Sequence, residues 1–284
     1  ITVYDECHIG HARILVFFDT LIRYLKFNRC KINFVRNITD VDDKIIKKAA
    51  ENKTTISKIS SKYIKSMQND IRNLNLIEPT FEPKATTFIK KMIKNITLLK
   101  EKKYAYKNKN NDICYNVNRN KNYGKFLKNL KLNKNHNFAL WKINKKNIKY
   151  TWLSPWGKGI PGWHTECVTM STYYFKNEID IHGGGIDLMF PHHENEIAQY
   201  DIIKQKNLSK IWMHVGFLNI NKEKMSKSEN NTIKIKNLLK NFNEEYLRFF
   251  LISTHYKKNI DYSDNNIKKS INALNYLYKT LFCN

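Results

Sequence analysis

The chain has 284 residues, 42% of them hydrophobic, enough to bury a sizeable core as one large domain with an insertion or as two smaller domains. No apolar run approaches the roughly eighteen residues that span a bilayer, the first ten residues lack the basic flank and apolar core of a signal peptide, and five scattered cysteines without paired spacing argue against a disulfide framework. No membrane partner is therefore expected, and a cytoplasmic setting is the default, with an organelle as the alternative. The formal charge of +25 suits a nucleic-acid partner, yet the excess is mostly lysine travelling with asparagine and isoleucine, the bias of A+T-rich coding DNA, so charge alone does not name RNA.

HARILVFFDTLIRYLKF (11–27) places Ile14, Phe17, Phe18, Leu21, Ile22 and Leu25 at spacings of three and four, which predicts an amphipathic helix. KINFVRNI (31–38) is a near-alternating run of β-branched and aromatic residues and predicts a strand. It ends in the polar turn TDVDD (39–43), whose Asp40, Asp42 and Asp43 suit the cap of a helix beginning in KIIKKAAENK. A helix feeding a strand that feeds a helix is the rhythm of an α/β fold with a Rossmann-like, doubly wound parallel sheet. From 83 to 150 the pattern dissolves into lysine and asparagine clusters, as in an insertion. EIDIHGGGID (178–187) predicts a strand running into three glycines, Pro191 suits the first turn of the next helix, and KIWMHVGFLNI (210–220) predicts another strand. IKIKNLLKNF, EEYLRFFLIS and IKKSINALNYLYKTLF read as helices.

Two short motifs carry phosphate chemistry. In HIGH (8–11), Gly10 leaves room for a flat ring against the backbone, and two imidazoles at a helix N-terminus can donate to phosphate oxygens beside the positive end of the macrodipole. In KMSKS (224–228), Lys224 and Lys227 lie three apart in a loop after a strand, where they can close over a polyphosphate and neutralise charge moving to a leaving group. Taken singly, these are also an ordinary helix start and a solvated basic turn. The run HGGGIDLMFPHHENEIAQY (182–200) sets three glycines and Asp187 beside His192, His193, Glu194 and Glu196. The order His, three residues, Glu is not the two-histidine helix of a metalloprotease.

HIGH ahead of an α/β unit, with KMSKS far downstream, resembles the class I aminoacyl-tRNA synthetases. TVYDECHIGHAR (2–13), FVRNITDVDDKI (34–45), FALWK (138–142), SPWGKGIPGWHTEC (154–167) and HGGGIDLMFPHHENEIAQ (182–199), in that order, narrow the likeness to the cysteinyl-tRNA synthetase family. The resemblance implies a two-step ligase. L-cysteine and ATP, with magnesium, form cysteinyl-adenylate and pyrophosphate, and the cysteinyl group then passes to the 3′ end of tRNA(Cys). It also implies a monomer, with His8, His11, Lys224 and Lys227 stabilising phosphate charge. ATP would meet His8, Gly10, His11, Gly183, Gly184, Gly185, Asp187 and Lys227, the glycines letting the main chain approach the nucleotide and Asp187 accepting from ribose hydroxyls. Thr2, Asn37, Thr39 and Trp163 would contact the amino acid, Trp163 walling the cysteine pocket one helical turn before Cys167; core packing is the other reading of that tryptophan.

Zinc is the implied cofactor, held by Cys167, His192 and Glu196, with a fourth ligand expected in a Cys-Gly pair before the position matching Ile1. Sulfur, nitrogen and oxygen donors are what zinc accepts, although Glu194 and Glu196 also suit a helix N-terminus and Cys167 a buried thiol. His193 and Glu194 are expected to support the ligands rather than to bind the metal. A soft metal that binds thiolate separates cysteine from serine far better than pocket shape, which is worth only about a hundredfold between such near-isosteres. The resemblance divides the chain into a catalytic domain in two halves (1–82 and 151–205), a connective insertion (83–150), a KMSKS-bearing region (206–264) and the start of a helical bundle (265–284). Glu229 and Asn230 depart from the leucine and glycine usual after KMSKS. Two alternatives stand beside the synthetase: a paralogue joining cysteine to a small amine, and a non-catalytic RNA-binding remnant.

Overall fold

The structure is a computed structural model that describes residues 1–126, 136–143, 150–225 and 231–282. Helix α1 spans Ile9–Phe27 and buries Ile9, Ala12, Arg13, Val16, Asp19 and Ile22; of the predicted apolar stripe only Ile22 is on that face, while Ile14, Phe17, Phe18, Leu21 and Leu25 are half-buried. Helix α2 spans Asp43–Glu51 and is capped by Asp42, whose carboxylate accepts from the Lys44 N–H at 2.8 Å. The sequence reading did not single out α3, Ile56–Asn73, although Ile56, Ile59, Tyr63, Ile64, Met67 and Ile71 are buried at helical spacing behind a Thr55 cap.

The predicted strand at 31–38 is irregular. Parallel bridges join Val35 to Phe81, Ile38 to Lys84 and Thr39 to Thr2, with no continuous ladder. The cause is local: the Phe34 carbonyl accepts from both Thr80 and Phe81, while its N–H donates to the Thr80 hydroxyl instead of to main chain. Continuous parallel pairing is carried by β5, Ile179–Gly185, against β6, Ser209–Val215. Before them come α4, Ile89–Glu101, and an antiparallel sheet whose strands follow chain order: β1, Ala105–Lys107; β2, Ile113–Tyr115; β3, Phe138–Ile143; and β4, Gly159–Pro161. Helix α5 spans Trp163–Tyr174 and α6 spans Glu194–Lys204. Tyr115, Leu140 and Trp141 are fully buried in one apolar cluster with α4, Met170 of α5 and Ala198 of α6, so the lysine-rich segment closes over the helices that follow it.

Beyond β6, strand β7, Leu218–Ile220, pairs antiparallel with β8, Glu223–Lys224, and parallel with β9, Ile260–Tyr262. Helices α7, Ile235–Asn241, α8, Glu244–Ile252, and α9, Asp264–Phe282, occupy the regions read as helical, α9 beginning three residues earlier than its predicted run. Leu238, Leu247, Phe250, Leu251 and Ile267 join Val3, Ile9, Val16, Met67 and Ile71 in the second large core, which packs both ends of the chain against α1 and α3. Among the described residues, no helix is long and apolar enough to cross a membrane.

Candidate active site and metal centre

Cys167 on α5 and His192 and Glu196 before and on α6 bring one sulfur, one ring nitrogen and one carboxylate oxygen within 4.8 Å of one another. The local chain differs from the predicted one. Pro191 lies not in the first turn of α6 but in a wide turn, Met189–His193, ahead of it, because Phe190 is extended (φ −138°, ψ 134°). His193 and Glu194 have right-handed helical dihedrals, so the four-residue separation still turns His192 and Glu196 to one side, and His192 Nε2 lies 2.7 Å from Glu196 Oε1.

His192 and Glu196 are buried and Cys167 is half-buried. Burial raises the Cys167 thiol well above its usual range, with Glu196 next in effect. Burial pushes the Glu196 carboxyl up to about 7, against the opposing pull of His182, and lowers His192 to about 3, so its ring is neutral at physiological pH. His192 Nδ1 is 2.8 Å from His164 Nδ1. The tautomer that donates this proton to His164 turns a bare Nε2 lone pair toward a carboxylate, an arrangement that calls for a cation or proton between them. Both Glu196 oxygens lack a hydrogen bond of acceptable geometry despite being buried. Those orphaned oxygens and the S, N, O donor set fit zinc.

The residues expected around the amino acid gather at the same place. Asn37 Nδ2 donates to Cys167 Sγ at 3.4 Å. Thr39 is 1% exposed, pairs with Thr2 and donates to buried Glu166. Trp163 is 38% exposed and stacks on His192 with ring centroids 4.2 Å apart, so it is not core packing. Glu194 lies away from the cluster: its carboxylate accepts from the N–H groups of Gly124, Lys125 and Phe126 at 2.7, 3.1 and 2.9 Å.

A cleft of about 750 Å³ opens alongside, lined in part by His8, Gly10, His11, Gly185, Asp187 and Met225. His8 is the extended residue at the head of α1, whose first turn holds no acidic side chain to neutralise the dipole. The His8 N–H donates to His11 Nδ1 at 3.2 Å; this fixes the neutral His11 tautomer with its proton on Nε2. A Cβ on Gly10 would lie 2.7 Å from Met225 Cε, so the residue after β8 packs directly on the HIGH turn. The three consecutive glycines divide. Gly185 lines the cleft, whereas a Cβ on Gly183 would meet Phe18 at 2.1 Å and the Met213 carbonyl at 2.8 Å, and one on Gly184 would meet Leu188 at 2.8 Å. For Gly183 and Gly184, packing of β5 on α1 and on the turn after it accounts for the missing side chain in place of nucleotide approach. Lys224 ends β8, and Lys227 lies outside the described residues.

Sequence reasoning named His193 as a supporting group but missed His182 and His214, which lie behind the metal donors with it. His182 Nε2 is 3.2 Å from Glu196 Oε2, and His193 Nδ1 is 2.8 Å from His214 Nε2, giving His182, His193 and Glu196 as a second convergent donor set. It also missed Lys44, Lys47 and Lys48, which line the same cleft as HIGH and whose helical position the α2 pattern already carried.

The chain is 46% identical over 298 residues to the cysteine–tRNA ligase of Blochmanniella pennsylvanica and 43% identical over 297 residues to that of Buchnera aphidicola subsp. Acyrthosiphon pisum, in each case over 99% of this chain. It spans 63% and 64% of those two relatives. Among solved structures, the fold is similar to Mycobacterium tuberculosis methionyl-tRNA synthetase in complex with methionyl-adenylate (TM-score 0.74, 13% identity, 95% of this chain and 67% of that one). It is also similar to an arginyl-tRNA synthetase from Campylobacter jejuni (TM-score 0.63, 14% identity, 92% and 63%). Residues 1–272 match the class I (C) tRNA synthetase catalytic-domain family, and the chain belongs to it.

Proposed function

We propose that this chain is the catalytic part of a cysteine–tRNA ligase, which activates L-cysteine with ATP and transfers it to the 3′ end of tRNA(Cys). The supporting observation is that one strand, β5, runs from His182, in contact with Glu196 of the metal-ligand set, to Gly185 at the edge of the HIGH cleft. A thiol-sized ligand on one side and a nucleotide on the other would meet across it.

In this reading, a cysteine carboxylate oxygen attacks the α-phosphorus of ATP in line, the bond to the bridging oxygen breaks, and pyrophosphate leaves. His11 Nε2–H, beside the positive end of the α1 dipole, offers a hydrogen bond to a phosphate oxygen, and Asp187 accepts from the ribose. Lys224 and Lys227 neutralise charge as it moves to the leaving group. Much of the acceleration comes from holding the two reactants together. Cys167, His192 and Glu196 would hold zinc, which when bound supplies a soft acceptor for the substrate sulfur and so selection against serine. Trp163 and Thr39 shape the space beside those donors.

The test is cysteine-dependent ATP–pyrophosphate exchange and metal content, both on the full-length chain. One equivalent of zinc and exchange that ignores serine are expected, with both lost in Cys167→Ala. Exchange that survives in that variant with its metal retained would refute the site. Charging of an amino sugar in preference to tRNA would refute the acceptor.

A further inference from the structure

Arg13 lies two residues beyond His11 on α1, is 1% exposed, and finds carbonyls where a buried guanidinium usually finds a carboxylate. Nη1 donates to the carbonyls of Gly216 at 2.9 Å and Phe217 at 2.5 Å, and Nη2 to that of Lys258 at 2.5 Å. Gly216 and Phe217 form the turn between β6 and β7, and Lys258 lies just before β9. The same joint is drawn tight from the other side. A Cβ on Gly216 would stand 2.6 and 2.7 Å from the carbonyl oxygens of Lys258 and Lys257, while the Gly216 N–H donates to Tyr256 and the Phe217 N–H to the Asn259 side chain.

This joint is the root of the β7–β8 hairpin, whose end carries Lys224 and then Met225, the residue packed on Gly10. The N-terminus of α1 and this hairpin, whose root is held by Arg13 of that same helix, therefore line the cleft together. A planar fork with donors in fixed directions constrains both position and angle, which a lysine ammonium does not. An apolar side chain would fill a buried helix position more cheaply if packing were all the position required.

We propose that Arg13 is a positioning residue that sets the spacing between the His8–His11 turn and the Lys224 hairpin, so that it governs use of ATP while leaving cysteine binding alone. The inference rests on the function proposed above. Its test uses Arg13→Lys and Gly216→Ala in the full-length chain: the first keeps the charge and removes the fork, and the second wedges the joint with the fork intact.

In both variants the kcat of cysteine-dependent exchange should fall about a hundredfold, as for a misplacement near 1 Å, and KM for ATP should rise. KM for cysteine and zinc content should stay within twofold of the parent. The double variant should lose far less than the product of the two single losses. Amide exchange over residues 216–224 should accelerate in Arg13→Lys. Equal changes in both KM values, or unchanged kcat in a folded Arg13→Lys, would overturn the proposal by reducing Arg13 to general stability or to nothing. Should the parent chain show no exchange activity at all, the proposed function fails, and the amide measurement decides the joint by itself: unchanged protection of 216–224 overturns it.

Discussion

Glu194 separates a structural carboxylate from the metal donors two residues away, and its removal should show this quantitatively. The side chain is 0% exposed and receives three consecutive main-chain N–H groups, two on Oε1 and one on Oε2. Gly124, at φ 103°, makes that anion-holding turn possible. Hydrogen bonds to a charged group are each worth about 1.5–3 kcal/mol. The 124–126 main chain is only partly buried, so water recovers part of the loss, and three bonds at the low end give about 4 kcal/mol for Glu194→Ala. Glu194→Gln keeps one oxygen on Gly124 and Lys125 but sets an amide donor against the Phe126 N–H, for about 2 kcal/mol. Urea unfolding followed by tryptophan fluorescence measures both values. Zinc retention should weaken in step with stability, because the same side chain anchors the first turn of the helix that carries Glu196. A cost below about 1 kcal/mol for the alanine variant would show that the three bonds do not hold the helix start.

Gly183→Ala should destabilise the fold by about 1–3 kcal/mol, because the new methyl overpacks against Phe18 and the β6 main chain; Phe18→Leu in the same chain should recover part of it, and thermal melts of the two variants decide the matter. Asp70, 4% exposed on α3, has its carboxyl raised to about 6 by burial and then by Glu6, with Lys236 opposing. Its folded pKa exceeds its unfolded one, so the folded state binds the extra proton between about pH 4 and 6 and stability falls across that window as pH rises. The contribution is about 2–3 kcal/mol. Asp70→Asn should accordingly match the parent near pH 4 and exceed it at pH 7.5; equal stability at both pH values would refute the assignment.

The parts of this fold legible in the sequence are those where one periodicity dominates. The apolar spacing from Ile14 to Leu25 gave α1, and the alternation in EIDIHGGGID gave β5. KINFVRNI alternates as well, yet Phe34 spends its hydrogen bonds on the Thr80 side chain and on two amides at once, a partner choice made 46 residues away and invisible to a local pattern. Pro191 was misplaced for a related reason. A proline allowed in a first helical turn is equally allowed in the turn before it, and the extended Phe190 decides between them.

The site shows the same boundary between spacing and pairing. Cys167, His192 and Glu196 could be named together because the resemblance to the cysteinyl-tRNA synthetase family joins them; spacing by itself says only that His192 and Glu196, four apart, share a side of the chain. Nothing in the spacing of His182, Trp212 and His214 says that they meet. The register of β5 on β6 sets His182 beside Trp212 and Gly184 beside His214, and the His193 ring lies at ordinary contact distance from Gly184. Neutral imidazoles are thereby stacked behind Glu196, with burial lowering His182 and His193 from the usual histidine range, so they act as hydrogen-bonding and packing groups rather than as added charge. Glu196, between neutral rings, away from water and without a lysine or arginine within ion-pair reach among the described residues, has its carboxyl raised to about 7 by burial, so a cation entering beside Cys167 would displace its proton. Gly184, which the sequence suggests for a nucleotide, instead leaves room for Leu188 Cδ1, which a Cβ there would meet at 2.8 Å.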